Sequence, residues 1–241
     1  MSLYALSDLH LYKSIQEKPM DIFGEAWDNH MEKLAEGCKI LTEDDMLLIP
    51  GDISWAMYLN DAYEDLKFIE NIPGHKIISK GNHDYWWESH KKLKEFIAQC
   101  GFKTISFLHN NYFEYKGIAL CGNKGYFYNP AGFIDDPSEN AKHDRLLYER
   151  EISRMELSLQ MADKEGFKRK VFQTHYPPSK NMVQPDEKVL ELFEKYGVEY
   201  CIYGHLHAQS QKRKFEGKFG GTEFIFASCE HLNFTPKLII K

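Results

Sequence analysis

Short clusters of aspartate, asparagine and histidine recur along the chain, and each one follows an apolar run. The clusters are Asp8-Leu9-His10, Gly51-Asp52, Gly81-Asn82-His83-Asp84, His175 and Gly204-His205-Leu206-His207. Carboxylate, carboxamide and imidazole groups together are ligands that suit Mn, Fe or Zn ions. Two such ions held close together clamp a phosphoryl group and lower the pKa of a bound water molecule. These residue types therefore predict a two-metal hydrolytic centre.

The spacing within the clusters supports a shared site. Asp8 and His10 are two residues apart, and so are His205 and His207. Residues i and i+2 of an extended segment face the same side, so each pair can face one ion. Taken singly, the aspartate that follows Gly51 is typical of an ordinary turn. The occurrence of all the clusters together, each after a strand-like run, favours one common site over a set of unrelated loops.

Apolar runs and helical periodicity predict the elements that must position these clusters. Strands are predicted at 3–6, 46–49, 76–79, 104–107, 112–115, 118–121, 171–174, 200–203, 224–227 and 238–240. Helices are predicted at about 25–41, 60–72, 86–99, 142–165 and 186–196. The alternation of strands and helices in the first half is typical of a layered α/β domain. Ligands bind outside the carboxyl ends of the strands in such sheets, so one sheet edge would gather the clusters.

Composition narrows the class of protein. The 241 residues contain no obvious linker or repeat, and the clusters span much of the chain, so we expect one domain over residues 1–241. The formal charge of −6 is not typical of a general nucleic-acid binder. The five cysteines are widely spaced, and no apolar run approaches the roughly 18 residues of a membrane span. We therefore expect reduced cysteines, no membrane association and a cytoplasmic location.

As an ordered set, the clusters resemble the motifs of the calcineurin-like metallophosphoesterases. The residue types and their order match over positions 8–207, which is most of the chain. This resemblance implies an α/β fold in which two mixed β-sheets pack as a sandwich flanked by helices. The strand count alone fits an open doubly wound sheet equally well. The choice between the two architectures therefore depends on the resemblance.

The resemblance also implies a ligand set and two catalytic roles. The first metal ion would be held by Asp8, His10, Asp52 and His207, and the second by Asp52, Asn82, His175 and His205. The cofactors would be two divalent or trivalent transition-metal ions (Mn, Fe or Zn), bridged by the shared aspartate. His83 would stabilise the charge on the phosphate or protonate the leaving group, and Asp84 would fix the orientation of its ring.

The implied activity is hydrolysis of a small phosphodiester or phosphomonoester by attack of a metal-bound hydroxide. The protein serine/threonine phosphatases of this superfamily have a further acidic and arginine pattern after the aspartate, whereas Ile53-Ser54-Trp55-Ala56 follows it here. One alternative is a metal-dependent nuclease, which the absence of a basic stripe disfavours. Another is a non-catalytic scaffold that binds protein partners, which fits poorly because every ligand position is filled. No feature identifies a protein partner.

Aromatic and basic residues near the clusters are candidates for substrate contacts. The aromatic candidates are Trp55, Tyr58, Tyr85, Trp86, Trp87, Tyr126, Phe127 and Tyr128. They could stack a base or hold an apolar alcohol, or they could simply pack the helices that begin there. Lys124, Arg145 and Lys180 are possible phosphate contacts or surface charges. His231 could line the pocket late in the chain.

Overall fold

The computed structural model describes residues 1–13, 20–126 and 139–241. Within these ranges, the strands are β1 Leu3–Ala5, β2 Met46–Pro50, β3 His75–Ser79, β4 Ile105–Leu108, β5 Tyr112–Tyr115, β6 Ile118–Asn123, β7 Arg169–Thr174, β8 Val198–Tyr203, β9 Gly217–Phe219, β10 Thr222–Phe226 and β11 Lys237–Ile240. The α-helices are α1 His30–Gly37, α2 Tyr63–Glu70, α3 His90–Cys100, α4 Glu139–Lys164 and α5 Glu187–Tyr196. The candidate aromatics Phe127 and Tyr128 lie outside the described residues.

The strands form two mixed sheets. In the first sheet the order is β11-β1-β2-β3-β4, with β11 antiparallel to β1 and the other neighbours parallel. In the second the order is β5-β6-β7-β8-β10-β9, with an antiparallel strand at each edge and parallel pairs between. The sandwich that the resemblance implied is therefore confirmed, and the open doubly wound sheet is excluded.

One apolar layer holds the two sheets together. It consists of Leu3, Ala5, Leu48, Ile77 and Leu108 from the first sheet and Tyr115, Ile118, Leu120, Val171, Ile202 and Ile225 from the second. Helices cover the outer faces: α1, α2 and α3 pack on the first sheet, and α4 and α5 pack on the second. Because both faces of the central strands are buried, their sequences are continuous apolar runs rather than alternating patterns.

Hydrogen bonds join the two sheets at their carboxyl ends. The N–H of Ser7, just past β1, donates to the carbonyl of Ala227, just past β10, at 2.7 Å. The N–H of Cys229 donates back to the carbonyl of Ser7 at 2.9 Å. The loops that leave both sheets are therefore brought to one edge of the sandwich, as the strand-end argument predicted.

Several predicted boundaries shift for local reasons. The helix predicted at 86–99 begins at His90, because Ser89 caps it: the Ser89 hydroxyl accepts the Lys92 N–H at 3.4 Å. Strand β9 was not predicted, since Gly217-Lys218-Phe219 is short, has a single apolar residue and lies at a sheet edge. Across the described ranges, no helix combines the length and apolar character that crossing a bilayer requires.

Candidate metal centre

The candidate ligands follow the carboxyl ends of five parallel strands, two or more from each sheet. Asp8 and His10 follow β1, Asp52 follows β2, Asn82 follows β3, His175 follows β7, and His205 and His207 follow β8. Because the two sheets are joined at this edge, all seven side chains reach one small volume. The predicted convergence of distant clusters is thus present in the structure.

One group of four side chains surrounds a common point. Asp8, His10, Asp52 and His207 each present a ligand atom within 4.8 Å of the others. The Nε2 atoms of His10 and His207 face each other at 3.0 Å. Oδ2 of Asp52 lies 3.7 Å from Nε2 of His10, and Oδ1 of Asp8 lies 3.8 Å from Nε2 of His207. Two carboxylates and two imidazoles arranged in this way form a donor set that a transition-metal ion favours.

A second group lies beside the first. Asp52, His175 and His205 also present atoms within 4.8 Å of one another. Nε2 of His175 lies 3.2 Å from Nδ1 of His205 and 3.5 Å from Oδ2 of Asp52. The amide oxygen of Asn82 joins this group at 2.7 Å from Nε2 of His175. The four side chains of the second predicted set therefore lie together as well.

Asp52 belongs to both groups through a single oxygen. Its Oδ1 accepts the backbone N–H of His83 at 2.8 Å, whereas its buried Oδ2 has no hydrogen-bond partner among the described residues. A buried carboxylate oxygen without a partner is rare in folded proteins, because its desolvation is not repaid. Oδ2 faces His10 and His175, one from each group. This orphan oxygen fits a ligand shared by two cations.

The backbone at the ligands is unusual. Asp8, His10, Asp52 and His205 have φ values of 61°, 45°, 51° and 75°. Left-handed backbone is uncommon for residues other than glycine and costs about 1–3 kcal/mol for each residue so held. Such strain persists only where the surrounding structure imposes it, and it clusters at functional sites. Four of the seven candidate ligands thus point inward at an energetic cost that the sandwich must offset.

Two glycines allow the loops to approach the carboxylates. A Cβ atom on Gly81 would collide with the carboxylate of Asp52, and one on Gly204 would collide with that of Asp8. The absence of a side chain at each position lets the neighbouring loop pass directly over an aspartate. The glycines in the predicted motifs therefore serve close approach as well as turn formation.

Backbone groups orient the ligands from outside the centre. Nδ1 of His175 lies 3.1 Å from the carbonyl oxygen of Pro50, which directs Nε2 toward Asp52. The N–H of His205 donates to both oxygens of Asp8, at 3.0 and 3.1 Å. Second contacts of this kind fix the tautomer and ring orientation of ligating histidines. The loop after β7 is thereby tied to the end of β2, and the loop after β8 to the loop after β1.

The hydrogen-bond partners of Asp84 differ from the one that was predicted, the ring of His83. Its carboxylate accepts five hydrogen bonds, from the N–H groups of Gly81, Asp52, Ile53 and Ser54 and from the indole of Trp86. None of these donors is the ring of His83, to which sequence reasoning assigned it. The reason is geometric: the loop after β2 wraps its amides around this carboxylate. Asp84 therefore acts on the centre by holding the Asp52 loop in place.

Burial sets the protonation balance of the centre. Burial raises the pKa of Asp8 to about 7, with the charge of Asp52 adding to the shift, and it raises the pKa of Asp52 as well. Burial lowers the pKa values of His10 and His175 well below their usual range. The protein thus collects carboxylates and neutral imidazoles without enough positive charge to balance them. Bound cations would supply that charge, so the donor set fits metal ions.

Glu230 contacts a candidate ligand, His207, although sequence reasoning gave no reason to expect it there. Its Oε2 lies 3.7 Å from Nδ1 of His207. The same oxygen accepts hydrogen bonds from the backbone N–H of Ala208 at 3.1 Å and from the side-chain amide of Gln211 at 2.7 Å. Although burial opposes the charged form, Glu230 and then Asp8 raise the pKa of His207. No motif marks Glu230, which reaches the centre only because β10 lies beside β8. The neighbouring His231, considered as a pocket residue, instead faces Glu216 at 3.6 Å.

Three of the aromatic candidates lie in different surroundings: at the centre, in the core and beside a cavity. Trp55 stacks on His10 at 5.1 Å and lies 4.5 Å from the ring of His83, so it forms part of the wall of the centre. Trp86 is buried beneath Asp84 and belongs to the core, as the packing interpretation predicted. The hydroxyl of Tyr126 donates to Asp144 at 2.8 Å at the edge of an adjacent cavity.

Two of the basic candidates, Lys124 and Lys180, lie in different places. Lys124 lines the cavity beside the centre. Lys180 instead forms an ion pair with Asp186 at 2.7 Å, near the start of α5. Of these two, Lys124 is therefore the one that lies beside the centre.

Comparison with known proteins agrees with this geometry. A family model described as calcineurin-like phosphoesterase matches residues 1–209. No curated protein matches the chain significantly.

Two solved structures share the architecture, and a third is less similar. Phosphopantetheinyl hydrolase from Mycobacterium tuberculosis is 14% identical with a TM-score of 0.58, covering 99% of this chain and 95% of its own. The TT1561 protein of Thermus thermophilus is 11% identical with a TM-score of 0.55, covering 99% and 97%. A protein of unknown function from Aquifex aeolicus, AQ665, is 21% identical with a TM-score of 0.41, covering 98% and 95%. At these identities the first two show likeness of fold alone.

Proposed function

The chain belongs to the calcineurin-like phosphoesterase family, and we propose that it uses two transition-metal ions to hydrolyse a small phosphodiester or phosphomonoester. The observation that carries this proposal is the orphan oxygen of Asp52, which faces both ligand groups from a buried position. A single shared carboxylate oxygen is expected where two cations sit side by side. One isolated ion would leave three of the seven assembled donors unused.

The residues divide between the two ions as follows. Asp8, His10, Asp52 and His207 would hold the first, and Asp52, Asn82, His175 and His205 the second. Mn, Fe and Zn all suit this mixture of oxygen and nitrogen donors. When bound, such a pair supplies Lewis-acid polarisation of a phosphoryl group and activation of water at neutral pH. The protein itself supplies the fixed donors and their orientation.

His83 is the residue best placed to act on the substrate directly. Its backbone N–H is bound to Asp52, and its half-buried ring lies 4.5 Å from Trp55 and 5.7 Å from His10. A ring at the rim of the centre can donate a proton to a leaving oxygen or stabilise charge on the phosphoryl group. Asp84 holds the same loop from below through the N–H of Gly81. His83 is thus proposed as the catalytic residue and Asp84 as a positioning residue.

The proposal favours a small ester over a phosphoprotein. The segment after Asp52 turns inward, with Ile53 and Ser54 both buried, and it carries no arginine to grip a phosphoprotein. Trp55 narrows the approach on the same side. The Mycobacterium tuberculosis protein of the same fold is, by its name, a phosphopantetheinyl hydrolase, which supports hydrolysis as the class of reaction here.

Metal loading and hydrolysis test the proposal together. The purified protein, loaded in turn with Mn²⁺, Zn²⁺ and Fe²⁺, is assayed against bis-p-nitrophenyl phosphate, p-nitrophenyl phosphate and a DNA oligonucleotide. We expect about two ions per chain and hydrolysis of a small ester. Asp52→Asn serves as the matched variant and should lower both metal content and rate.

Three other outcomes of these assays would contradict part or all of the proposal. Two bound ions with every ester left intact would favour the protein-binding scaffold. Faster cleavage of the oligonucleotide than of the small esters would favour the nuclease. A single bound ion with full activity would remove the two-metal part of the proposal.

A further inference from the structure

A cavity of about 500 Å³ lies beside the metal centre. It is enclosed by the loop after β3, the loop after β4, the loop after β6 and one face of α4. This volume exceeds what one phosphate group fills and lies in the range of small-ligand pockets. Trp87 and Tyr126 form part of its wall, so an organic group has apolar surface to contact.

The cavity carries an excess of positive charge. Four cationic side chains line it, Lys80, Lys124, Arg150 and Arg154, against two acidic ones, Glu88 and Glu151.

Both acids are already engaged. Glu88 pairs with Lys92 at 3.2 Å, on the exposed side of α3. Oε1 of Glu151 contacts Arg154 at 2.5 Å and Arg150 at 3.5 Å, so it is shared by both arginines. The Glu151 carboxylate also lies against the amide of Asn123. Among the described residues, neither acid forms an ion pair with a lysine of the cavity.

The two lysines are the cations of the cavity that form no ion pair in the part of the chain that the structure describes. Over residues 1–13, 20–126 and 139–241, no carboxylate lies within ion-pair distance of Lys80 or Lys124. Both side chains line the same cavity. Like charges held together without a counter-ion are unfavourable, and a bound anion removes that cost. A phosphate monoester group, with a charge of about −1.5 to −2, matches two lysines.

Tyr176 connects the cavity to the centre. Its ring lies 4.5 Å from His205 and 5.1 Å from His175, and the ammonium of Lys124 lies 5.6 Å from the same ring. The carbonyl of Lys124 accepts the N–H groups of His175 and Tyr176, at 3.1 and 3.2 Å. One molecule could therefore reach the metal ligands and the lysines at the same time.

We propose that Lys80 and Lys124 bind a second, non-scissile phosphate group of the substrate, so that the preferred esters carry two phosphate groups. This inference rests on the proposed function, because it assigns the first phosphoryl group to the metal centre. The arginines contribute less, since Glu151 already pairs with them. The organic part that separates or follows the phosphates lies against Trp87 and Tyr126.

Inert phosphonates test this by calorimetry on the metal-loaded protein. Methylphosphonate offers one anionic group, and methylenediphosphonate and propane-1,3-diphosphonate offer two at different spacings. We expect at least one diphosphonate to bind about tenfold more tightly than methylphosphonate. In the double variant Lys80→Met/Lys124→Met that advantage should fall to about twofold or less. Lys91→Met, which removes an exposed cation from α3, is the matched control and should keep the advantage.

The comparison with the variants separates lysine binding from simple chelation at the metals. A diphosphonate advantage that survives in the double variant, or no advantage in the wild type, overturns the inference. The single variants Lys80→Gln and Lys124→Gln repeat the measurement should the double variant fail to fold. Ester hydrolysis without a lysine-dependent preference overturns the inference but leaves the proposed function intact. A lysine-dependent preference without ester hydrolysis removes the proposed function and leaves a binding site for diphosphorylated ligands.

Discussion

Oδ2 of Asp84 accepts the backbone N–H of Asp52 at 3.0 Å, so the carboxylate shared by both ligand groups is held through its main chain. Oδ1 of Asp84 accepts the next two amides of that loop, those of Ile53 at 2.8 Å and Ser54 at 3.2 Å. Three successive amides around one carboxylate form a concave anion-binding nest. The left-handed φ of Asp52 belongs to this wrapped conformation. A second aspartate thus maintains the strained backbone of the first.

Replacing Asp84 by asparagine should loosen this loop. The carboxamide keeps one acceptor oxygen and turns an NH₂ group toward backbone donors. We expect the free energy of unfolding to fall by about 2–4 kcal/mol, measured by urea denaturation, and metal affinity to fall with it. Asp61→Asn on the exposed surface is the control and should change stability by less than about 0.5 kcal/mol. Equal stability of Asp84→Asn and wild type would show that the nest is not needed.

Glu230 should matter for metal binding without touching the ions. It faces Nδ1 of His207, opposite the nitrogen that points into the centre. We expect Glu230→Gln to weaken metal affinity about 10–100-fold, because such outer carboxylates orient the ring and raise its basicity. Competition with a chromogenic chelator measures this. His231→Gln changes the adjacent residue, which faces Glu216, and should leave the affinity unchanged. Equal effects of the two substitutions would argue against the assigned role.

His83 and Asp52 should separate catalysis from metal binding. His83→Ala should keep its metal content and lose about 10²–10⁴-fold in kcat, the range for a general acid. Asp52→Asn should lose metal as well as rate, since it alters the shared ligand. Metal content by mass spectrometry and kcat on the same samples distinguish the two. A metal-free His83→Ala protein would instead indicate that the ring supports the ligand shell.

Lys76 offers a test of the fold far from the centre. This lysine of β3 is fully buried, and its ammonium donates to the carbonyls of Glu70, Ile72 and Gly74, where α2 ends. Lys76→Met keeps the length of the side chain but leaves these carbonyls without their donor. We expect a loss of about 2–4 kcal/mol in the free energy of unfolding. Lys91→Met, at an exposed position, should be nearly neutral.

The effect of Lys76 should also depend on pH. Burial lowers its pKa from 10.5 to about 8, partly opposed by the charge of Glu70. Between these values the unfolded chain binds the proton more tightly than the folded protein, so stability from this group rises with pH. The wild type should therefore gain up to about 3 kcal/mol over Lys76→Met between pH 8 and 10.5. Urea titrations at several pH values check this, and a constant difference would contradict it.

The central strands were predictable because burial on both faces makes their sequences continuous apolar runs. The strands at 46–49, 76–79 and 200–203 were located in this way to within a few residues. The division into two sheets was not evident from the same runs, since a strand buried under a helix and one buried under another sheet have the same composition. Edge strand β9 was not detected because it is only three residues long and has a single apolar residue.

The ligands were predictable because each directly follows a buried strand and the carboxyl ends of parallel strands meet. Asp8 and His207 lie far apart in the chain, yet their strands end at the same edge. Glu230 was not predictable, because its position depends on which strand β10 pairs with. The lysine-lined cavity depends on where α4 packs, and no local pattern around Lys80 or Lys124 indicates that.

The hydrogen bond between Ser7 and Ala227 has a consequence for the order of folding. The two residues are far apart in the sequence, and contacts of this kind form slowly because the entropy cost of loop closure must be met first. Asp8, His10 and Asp52 follow strands of the first sheet, whereas His207 follows a strand of the second. The first ligand group is therefore complete only once the two sheets have docked, so capture of a cation by all four donors depends on the whole sandwich.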